Sequence, residues 1–413
     1  MVGFRKYVCC TVLFVLLPAQ PGVCDAQVSE KVFLRTYRID SRQNNRLFAE
    51  VDNVSFFRNV ESPGIIVPGY TLPGLRLQAK AVCYPVSGIR FEGGIHSLWF
   101  WGTGTYPASA YGSLAGHIDG RPDNTVHVYP FFRAQVELSE QLHIVMGSLY
   151  GGANHRLAEP LYNPELNLIA DPETGLQLLY DGRGLHLDTW VNWETFIYRM
   201  DTKQEAFSFG ISALFDVNSC ESAWHVYFPV QALAQHRGGQ IDATSLPVQT
   251  VLNGSAGVGL DWNVRGKVLK KMRLELNAPV GYQHAGNLWP LKSGYGVSAS
   301  ATVDIMDFRL GAAYWACNDF ISIYGNPLFG ALSTSVPDAY FIRPRMYSFG
   351  GEYTRTFAPG YALGVDFDFY FRPSCLINDP AAGIYGVPSK ICYSYGVCLQ
   401  LNPSFLVKSF GAR

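Results

Sequence analysis

The sequence predicts an all-β protein, a transmembrane antiparallel β-barrel of about 16 strands (range roughly 14 to 18) with short periplasmic turns and long external loops. Three observations predict this fold. Many segments of about ten or more residues alternate apolar and polar side chains with period two. The linkers between these segments are alternately short and long. Beyond the N-terminal leader no stretch has the roughly 18 uncharged apolar residues of a transmembrane helix, so a membrane-spanning chain must close into a barrel.

The segment 391–401 shows the alternation most clearly. Its apolar face carries Ile391, Tyr393, Tyr395, Val397, Leu399 and Leu401, and the opposite face carries Ser394, Gly396, Gln400 and Asn402. The same split recurs in 75–83, 206–215, 272–280 and 362–371. Asp366 and Asp368 share one face of the last segment, and two carboxylates cannot remain unpaired in a dry core. We therefore expect one face to contact lipid and the other to line a water-filled lumen.

Linker length indicates the same architecture. The short linkers are 85–88, 138–141, 181–184, 217–222, 304–307 and 357–360. The longer ones are 103–125, 152–172, 237–249, 318–342 and 374–388, with smaller members at 59–69, 200–203 and 287–292. Tight periplasmic turns and longer external loops are typical of outer-membrane barrels. The alternative, a secreted sandwich or propeller, would have strands of only about five or six residues.

The composition argues against two classes of protein. Aromatic residues make up 14% of the 413 residues, charged residues make up 16%, and the formal net charge is −1. Disorder requires low hydrophobicity with high net charge, and nucleic-acid binding requires a basic surplus. We therefore expect a folded chain without a nucleic-acid partner. No segment has the motif of a nucleotide, metal or cofactor site, so no cofactor is expected.

The N-terminus predicts export. The positive residues Arg5 and Lys6 precede an apolar run, 8–17, as in a secretory signal peptide, and cleavage is expected after Ala26. The alternative is a lipoprotein leader in which Cys24 carries the lipid, although the usual leucine three positions before it is missing.

Three regions follow from this reading of the N-terminus. Residues 1–26 are the signal peptide, 27–42 are a periplasmic lead-in or the start of the first strand, and 43–413 form the barrel. An even number of strands places both ends of the barrel on the same side of the membrane. The expected location is the cell outer membrane of a diderm bacterium.

Several segments resemble a family of porin-like outer-membrane β-barrel proteins of Bacteroides-type bacteria. The segments that carry the resemblance are 69–74, 150–157, 163–165 with 171–173, and 186–194 with 204–207. The resemblance covers most of the mature chain and implies the barrel fold and the outer-membrane location, but no substrate. The C-terminus departs from the usual aromatic ending, because Phe410 is followed by Gly411, Ala412 and Arg413.

Charged side chains recur on the less apolar faces of the predicted strands. The predicted lumen-facing charges are Arg76, Lys80, Arg90, Glu92, Arg133, Glu137, Asp188, Glu194, Arg273, Glu275, Glu352, Asp366 and Asp368. Rings of charged side chains select solutes in pores. Both signs are present, so no strong preference for anions or cations follows. The alternative is that these groups form cross-strand pairs that stiffen the wall.

The segment from Gly151 to Glu173 is a candidate constriction. It combines Asn154, His155, Arg156 and Glu159 with two glycines and three prolines. Long loops of this kind inside a compact domain are often functional. The loop is expected either to fold into the lumen, where Arg156 and Glu159 would set charge preference, or to form an ordered outer loop.

The cysteines leave one pairing open. Export permits disulfides, and Cys375 and Cys392 flank one long linker whose base they could join.

We expect a porin-like channel for passive diffusion of small hydrophilic solutes through a charged, water-filled lumen. The alternative is an occluded barrel that acts as a binding or structural protein through its outer loops. Outer-membrane lipid and small hydrophilic solutes are the expected partners. The chain has neither G-x-S-x-G nor H-E-x-x-H, and its histidines lack metal-ligand spacing. No catalytic residue, no metal ligand and no enzymatic activity are therefore expected; an enzyme would need Ser, His and a carboxylate in contact at the rim.

Overall fold

A computed structural model describes residues 32–101, 126–239 and 241–411. Sixteen antiparallel strands close into one barrel, which confirms the predicted fold class. The wall strands are β1 Arg46–Pro63, β2 Pro68–Tyr84, β3 Ile89–Phe100, β4 Val126–Ser139, β5 Leu142–Ser148, β6 Thr174–Asp181, β7 Leu185–Thr195, β8 Ala206–Asp216, β9 Trp224–Arg237, β10 Gln249–Asn263, β11 Leu269–Ala285, β12 Ser293–Ile305, β13 Phe308–Asn318, β15 Arg345–Ala358, β16 Tyr361–Arg372 and β19 Lys390–Leu401. The predicted signal peptide, including Cys24, and the 103–125 linker lie outside the described residues.

The barrel closes at β1. The upper part of this strand pairs with β19, from Asn53 opposite Leu401 to Glu61 opposite Tyr393. Its lower part pairs with β20, Ser404–Ser409, which continues the line of β19 after a two-residue interruption. No strand edge of the wall is left open at this seam, as a membrane-spanning sheet requires.

The side chains alternate between the two faces of the wall as the sequence predicted. In β19, Cys392 and Ser394 are buried inside, whereas Ile391, Tyr393 and Tyr395 are exposed on the outside. In a membrane the apolar side chains on the outer face contact lipid instead of water, so their exposure carries no hydrophobic penalty.

Two long loops and the N-terminal segment lie inside the barrel. The first inward loop, 149–173, contains a short 3-10 helix, Gly152–His155, and one turn of α-helix, α1, Leu166–Ile169. The second inward loop, 319–344, contains the 3-10 helix Pro327–Phe329 and strand β14, Tyr340–Ile342. Another 3-10 helix, Ser41–Gln43, precedes β1. The two loops join where the backbone N–H of Asn163 donates to the carbonyl of Tyr324 at 2.8 Å.

The predicted linker 374–388 is itself a hairpin. Its strands β17, Cys375–Asp379, and β18, Gly383–Val387, form a three-stranded sheet with β14. The apolar side chains Phe341, Ile377 and Val387 of this sheet are buried in the cluster that also contains Phe320 and Phe329. The suggested Cys375–Cys392 disulfide is not formed, because both are free thiols. Among the described residues, no helix has the length and apolar character needed to cross a membrane.

Candidate functional site

Among the described residues of the polar interior, three ionic centres each join the wall to the first inward loop. The first surrounds Glu92 of β3, which is only 1% exposed. Lys80 Nζ lies 2.5 Å from Glu92 Oε2, and Arg90 Nε and Arg133 Nη1 lie 3.0 and 3.1 Å from Oε1. Arg133 also donates to the carbonyl of Leu149 at 2.7 Å. The centre thus anchors the start of the first inward loop to three wall strands.

The second centre surrounds Arg58 of β1. Its guanidinium lies 2.9 Å from Glu165 of the first inward loop and 2.7 Å from Asp366 of the wall. Asp368 lies 3.5 Å away, and the Tyr70 hydroxyl donates to Glu165 at 2.7 Å. Val67, Leu328 and Cys392 line a cavity beside these groups.

The third centre is His155, which is buried between two carboxylates. Its Nδ1 lies 2.7 Å from Asp188 of β7, and its Nε2 lies 2.9 Å from Glu173 at the end of the first inward loop. Trp190 stacks on the imidazole with the ring centroids 3.5 Å apart. Burial lowers the pKa of His155, but Glu173 and Asp188 outweigh it and raise the pKa to about 10. The ring is therefore an imidazolium that locks the loop to the wall.

The other residues of the predicted constriction also make defined contacts inside the barrel. The side-chain amide of Asn154 binds the backbone of Arg35, donating to its carbonyl at 2.7 Å and accepting from its N–H at 3.1 Å. The carbonyl of Arg156 accepts from Gln231 at 2.9 Å. Glu159 accepts from Asn326 at 2.8 Å, and burial together with nearby Asp368 raises the pKa of Glu159 to about 7.

The remaining predicted lumen charges are spread around the inner wall and are not gathered into one site. Arg273 pairs with Asp261 at 2.7 Å, and Glu275 accepts from Tyr227 at 2.8 Å. Glu194 accepts from Gln235 at 2.8 Å. Arg76, Glu137 and Glu352 also lie on inner faces. Their effect on solute choice stays a prediction.

The N-terminal segment 32–40 fills space below the first inward loop. The carbonyl of Val32 accepts from Gln400 at 3.0 Å, and Arg35 pairs with Asp52 at 2.6 Å. Near the periplasmic mouth Arg38 lies 2.5 Å from Asp181. This segment therefore occupies lumen space between the periplasmic mouth and the first inward loop.

On the outer face, near the external end of the wall, His236 and Thr250 form a pair. They stand directly opposite each other on β9 and β10, with 2.9 Å between Nδ1 and Oγ1. Their neighbours Gln235 and Val251 are buried inside, so both side chains point outward. The ring of Phe207 lies 5.2 Å from that of His236. Lipid headgroups and ester linkages meet a barrel at this level.

Two loops rise above this pair, and we call residues 196–205 and 241–248 the rim loops. They are joined by backbone hydrogen bonds, from the N–H of Met200 to the carbonyl of Ile241 at 2.7 Å and from Ala243 to Asp201 at 2.8 Å. Their apolar side chains are exposed, with Phe196 at 66%, Tyr198 at 73% and Met200 at 68%. His236 and Thr250, which we call the dyad, therefore lie at the base of an apolar projection.

This outer-face arrangement is able to perform acid–base chemistry. A histidine whose Nδ1–H is held by a hydroxyl oxygen presents an unprotonated Nε2, which can take a proton from water. Nδ1 of His236 and Oγ1 of Thr250 lie within hydrogen-bond distance, and the hydroxyl can accept from Nδ1–H or donate to the bare nitrogen. No cluster of metal-ligating side chains occurs in the part of the chain that the structure describes.

Sequence reasoning missed this pair. His236 was one of several scattered histidines without a recognisable spacing, and Thr250 lies 14 positions away. Only the register of β9 against β10 places them together. An outward-facing histidine on an otherwise apolar face was the available signal.

Comparison with known proteins gives one family. The family model described as lipid A 3'-O-deacylase-type matches residues 39–410. Comparison with curated proteins found no match. The expectation that the chain is not an enzyme is wrong, because the matched family is named for a deacylase. The resemblance to porins of Bacteroides-type bacteria stays a resemblance.

Solved outer-membrane proteins have a similar overall shape. OccK8 (OprE) of Pseudomonas aeruginosa is 12% identical, with a TM-score of 0.48, 87% of this chain covered and 98% of that chain. OccAB3 of Acinetobacter baumannii is 11% identical, with a TM-score of 0.49 and coverages of 87% and 99%. OmpT of Vibrio cholerae is 9% identical, with a TM-score of 0.45 and coverages of 86% and 98%. These likenesses are too distant to bear on function.

Proposed function

This chain belongs to the lipid A 3'-O-deacylase-type family, and from that premise we propose that it hydrolyses an ester-linked acyl chain of a lipid A-type glycolipid in the outer leaflet. The single observation that carries the proposal is the His236–Thr250 dyad on the outer face of the barrel. A lipid ester reaches this face laterally from the membrane, so the filled lumen does not hinder it.

The proposed reaction uses His236 as general base. Nε2 takes a proton from a water molecule while the water oxygen bonds to the acyl carbonyl carbon, giving a tetrahedral intermediate. The bond between that carbon and the alcohol oxygen then breaks, and the imidazolium returns the proton to the departing oxygen. The products are a fatty acid and the deacylated glycolipid. In this reaction Nδ1–H donates to Thr250 Oγ1, so Thr250 is a positioning residue that orients the imidazole.

His236→Gln is expected to lower the rate of acyl release by about 100-fold or more, since general-base catalysis contributes about 10² to 10⁴. Thr250→Val keeps the base and loses only its orientation, so a smaller loss of about 10-fold is expected. The measurement is fatty acid released from lipid A in mixed micelles by the purified, folded barrel, followed by mass spectrometry.

His284→Gln is the matched control. This histidine is exposed on the next strand, where its ring lies 6.0 Å from that of Tyr282. It should leave the rate unchanged. Equal rates for wild type and His236→Gln, or no release by the folded wild type, would contradict the proposal.

A porin-like channel for small hydrophilic solutes is the second candidate, and one observation favours it. Charged inner-wall side chains away from the inward loops stay partly exposed, with the side chain of Arg273 at 32% and that of Lys271 at 25%. A channel would also use Glu159, whose side chain lies where the two inward loops meet.

If the lumen conducts, its preference for cations should rise as the pH increases through about 7. The pKa of Glu159 is raised from 4.5 to about 7, so the carboxyl is neutral well below this pH and negative above it. Reversal potentials in planar bilayers at pH 5 and pH 8 measure the change, and Glu159→Gln should abolish it. Glu140→Gln, in an exposed turn, is the control. A folded barrel that never conducts above background would exclude the channel.

A further inference from the structure

The rim loops differ from the two inward loops in where their apolar side chains go. The inward loops bury them, as Phe320 at 0% exposure illustrates. In the rim loops Ile197 is buried, but the other large apolar side chains are exposed, namely those of Phe196, Tyr198, Met200, Ile241, Leu246 and Val248. Exposed apolar patches of this kind mark an interaction site.

Contacts within the rim loops hold these apolar side chains in their exposed positions. Phe196 and Tyr198 pack edge to face with centroids 5.2 Å apart, and the N–H of Tyr198 donates to the carboxylate of Asp201 at 2.8 Å. Met200 adopts a left-handed conformation with φ 72°, which is uncommon for a residue other than glycine. Gln204 ties the two loops together by donating to the carbonyls of Leu246 and Pro247, both at 3.1 Å.

The patch is continuous with the lipid-facing surface of the barrel. It stands directly above β7 to β10, whose outer faces expose Trp193, Phe209 and Leu252. Trp193 stacks on Phe207, which in turn contacts His236. An unbroken apolar path therefore runs from the membrane belt past the dyad to the rim loops.

We infer that the rim loops are inserted into the outer leaflet and form the surface on which the acyl chain of the lipid substrate lies. The occupant is lipid, because the patch extends an apolar surface that lipid already covers. The exposed cations Arg199 and Lys203 lie among these apolar side chains, where their long stems can reach lipid phosphates from an inserted loop. The identity of the occupant as substrate rests on the proposed function, whereas insertion itself does not.

Insertion is tested by spin labels at Tyr198→Cys and Leu246→Cys, with the exposed Cys220 replaced by serine. The protein is reconstituted in vesicles of phosphatidylethanolamine and phosphatidylglycerol with lipid A. Both labels should collide with oxygen and be shielded from a water-soluble nickel chelate. Lys267→Cys, in an exposed periplasmic turn, should show the opposite behaviour. Nickel access at both rim positions equal to that at 267 would overturn the inference.

The substrate role is tested separately by kinetics. The triple variant Tyr198→Ser, Met200→Ser and Leu246→Ser should raise KM for lipid A about 10-fold or more, because apolar contact area is lost. Its kcat should stay within about twofold, because the dyad is intact. An unchanged KM would overturn the substrate role. Shielded labels on a barrel that releases no fatty acid would retain insertion and reject the proposed function.

Discussion

Glu92→Gln is expected to lower the free energy of unfolding of the barrel by about 3–5 kcal/mol, because it removes the one anion from a buried cluster of cations. Lys80, Arg90 and Arg133 all lie within 3.1 Å of this carboxylate. An amide retains the shape and one acceptor, but it leaves three positive charges facing each other in a region of low dielectric. The loss is measured by urea unfolding in detergent micelles, followed by tryptophan fluorescence.

Glu140→Gln is the control for this substitution. Glu140 is exposed in the turn between β4 and β5, and surface changes of this kind are usually within about 0.5 kcal/mol. A Glu92→Gln barrel as stable as the control would show that the cations find other partners, and the first ionic centre would then contribute little.

His155→Gln is expected to release the first inward loop, with a local cost of about 3–5 kcal/mol. The imidazolium is the counter-charge for Glu173 and Asp188, and its stacking on Trp190 is lost as well. Hydrogen exchange should rise across residues 152–172 while the wall strands stay protected. His284→Gln is the control, and unchanged exchange in His155→Gln would contradict this account.

The same centre predicts a pH dependence in the wild type. The folded-state pKa of His155 is raised from 6.5 to about 10, so its contribution is complete below pH 6.5 and is lost as the pH rises through 10. Loop protection should therefore decline between these values. In His155→Gln the decline over this range should disappear.

Much of the wall could be predicted from the sequence, because lipid on one side and polar contacts on the other impose period two on every strand. The residues of β19 show this directly. The positions of the turns could be predicted as well, because a chain that has crossed the membrane must turn and cross it again. The 374–388 linker was harder: its hairpin is short, and its apolar residues also suit a loop.

The inward position of the loops and the formation of the dyad both depend on contacts between residues that are distant in sequence. His155 lies between Glu173 and Asp188, and nothing in the local sequence distinguishes an imidazolium lock from an ordered outer loop. The His236–Thr250 pair needs the exact register of two strands, and shifting one strand by a single residue would turn one of the pair inward. Strand count and inward charge predicted a pore, whereas the family match concerns chemistry on lipid.

The N-terminal segment constrains the order in which the chain assembles. Val32 is held by Gln400, 368 positions later, yet it lies within a cylinder whose seam joins β1 to β19. Gln400 belongs to the last strand of the wall, so its contact with Val32 forms only when the two ends of the chain have come together. The packing of the N-terminal segment therefore depends on the same approach of β19 to β1 that closes the seam.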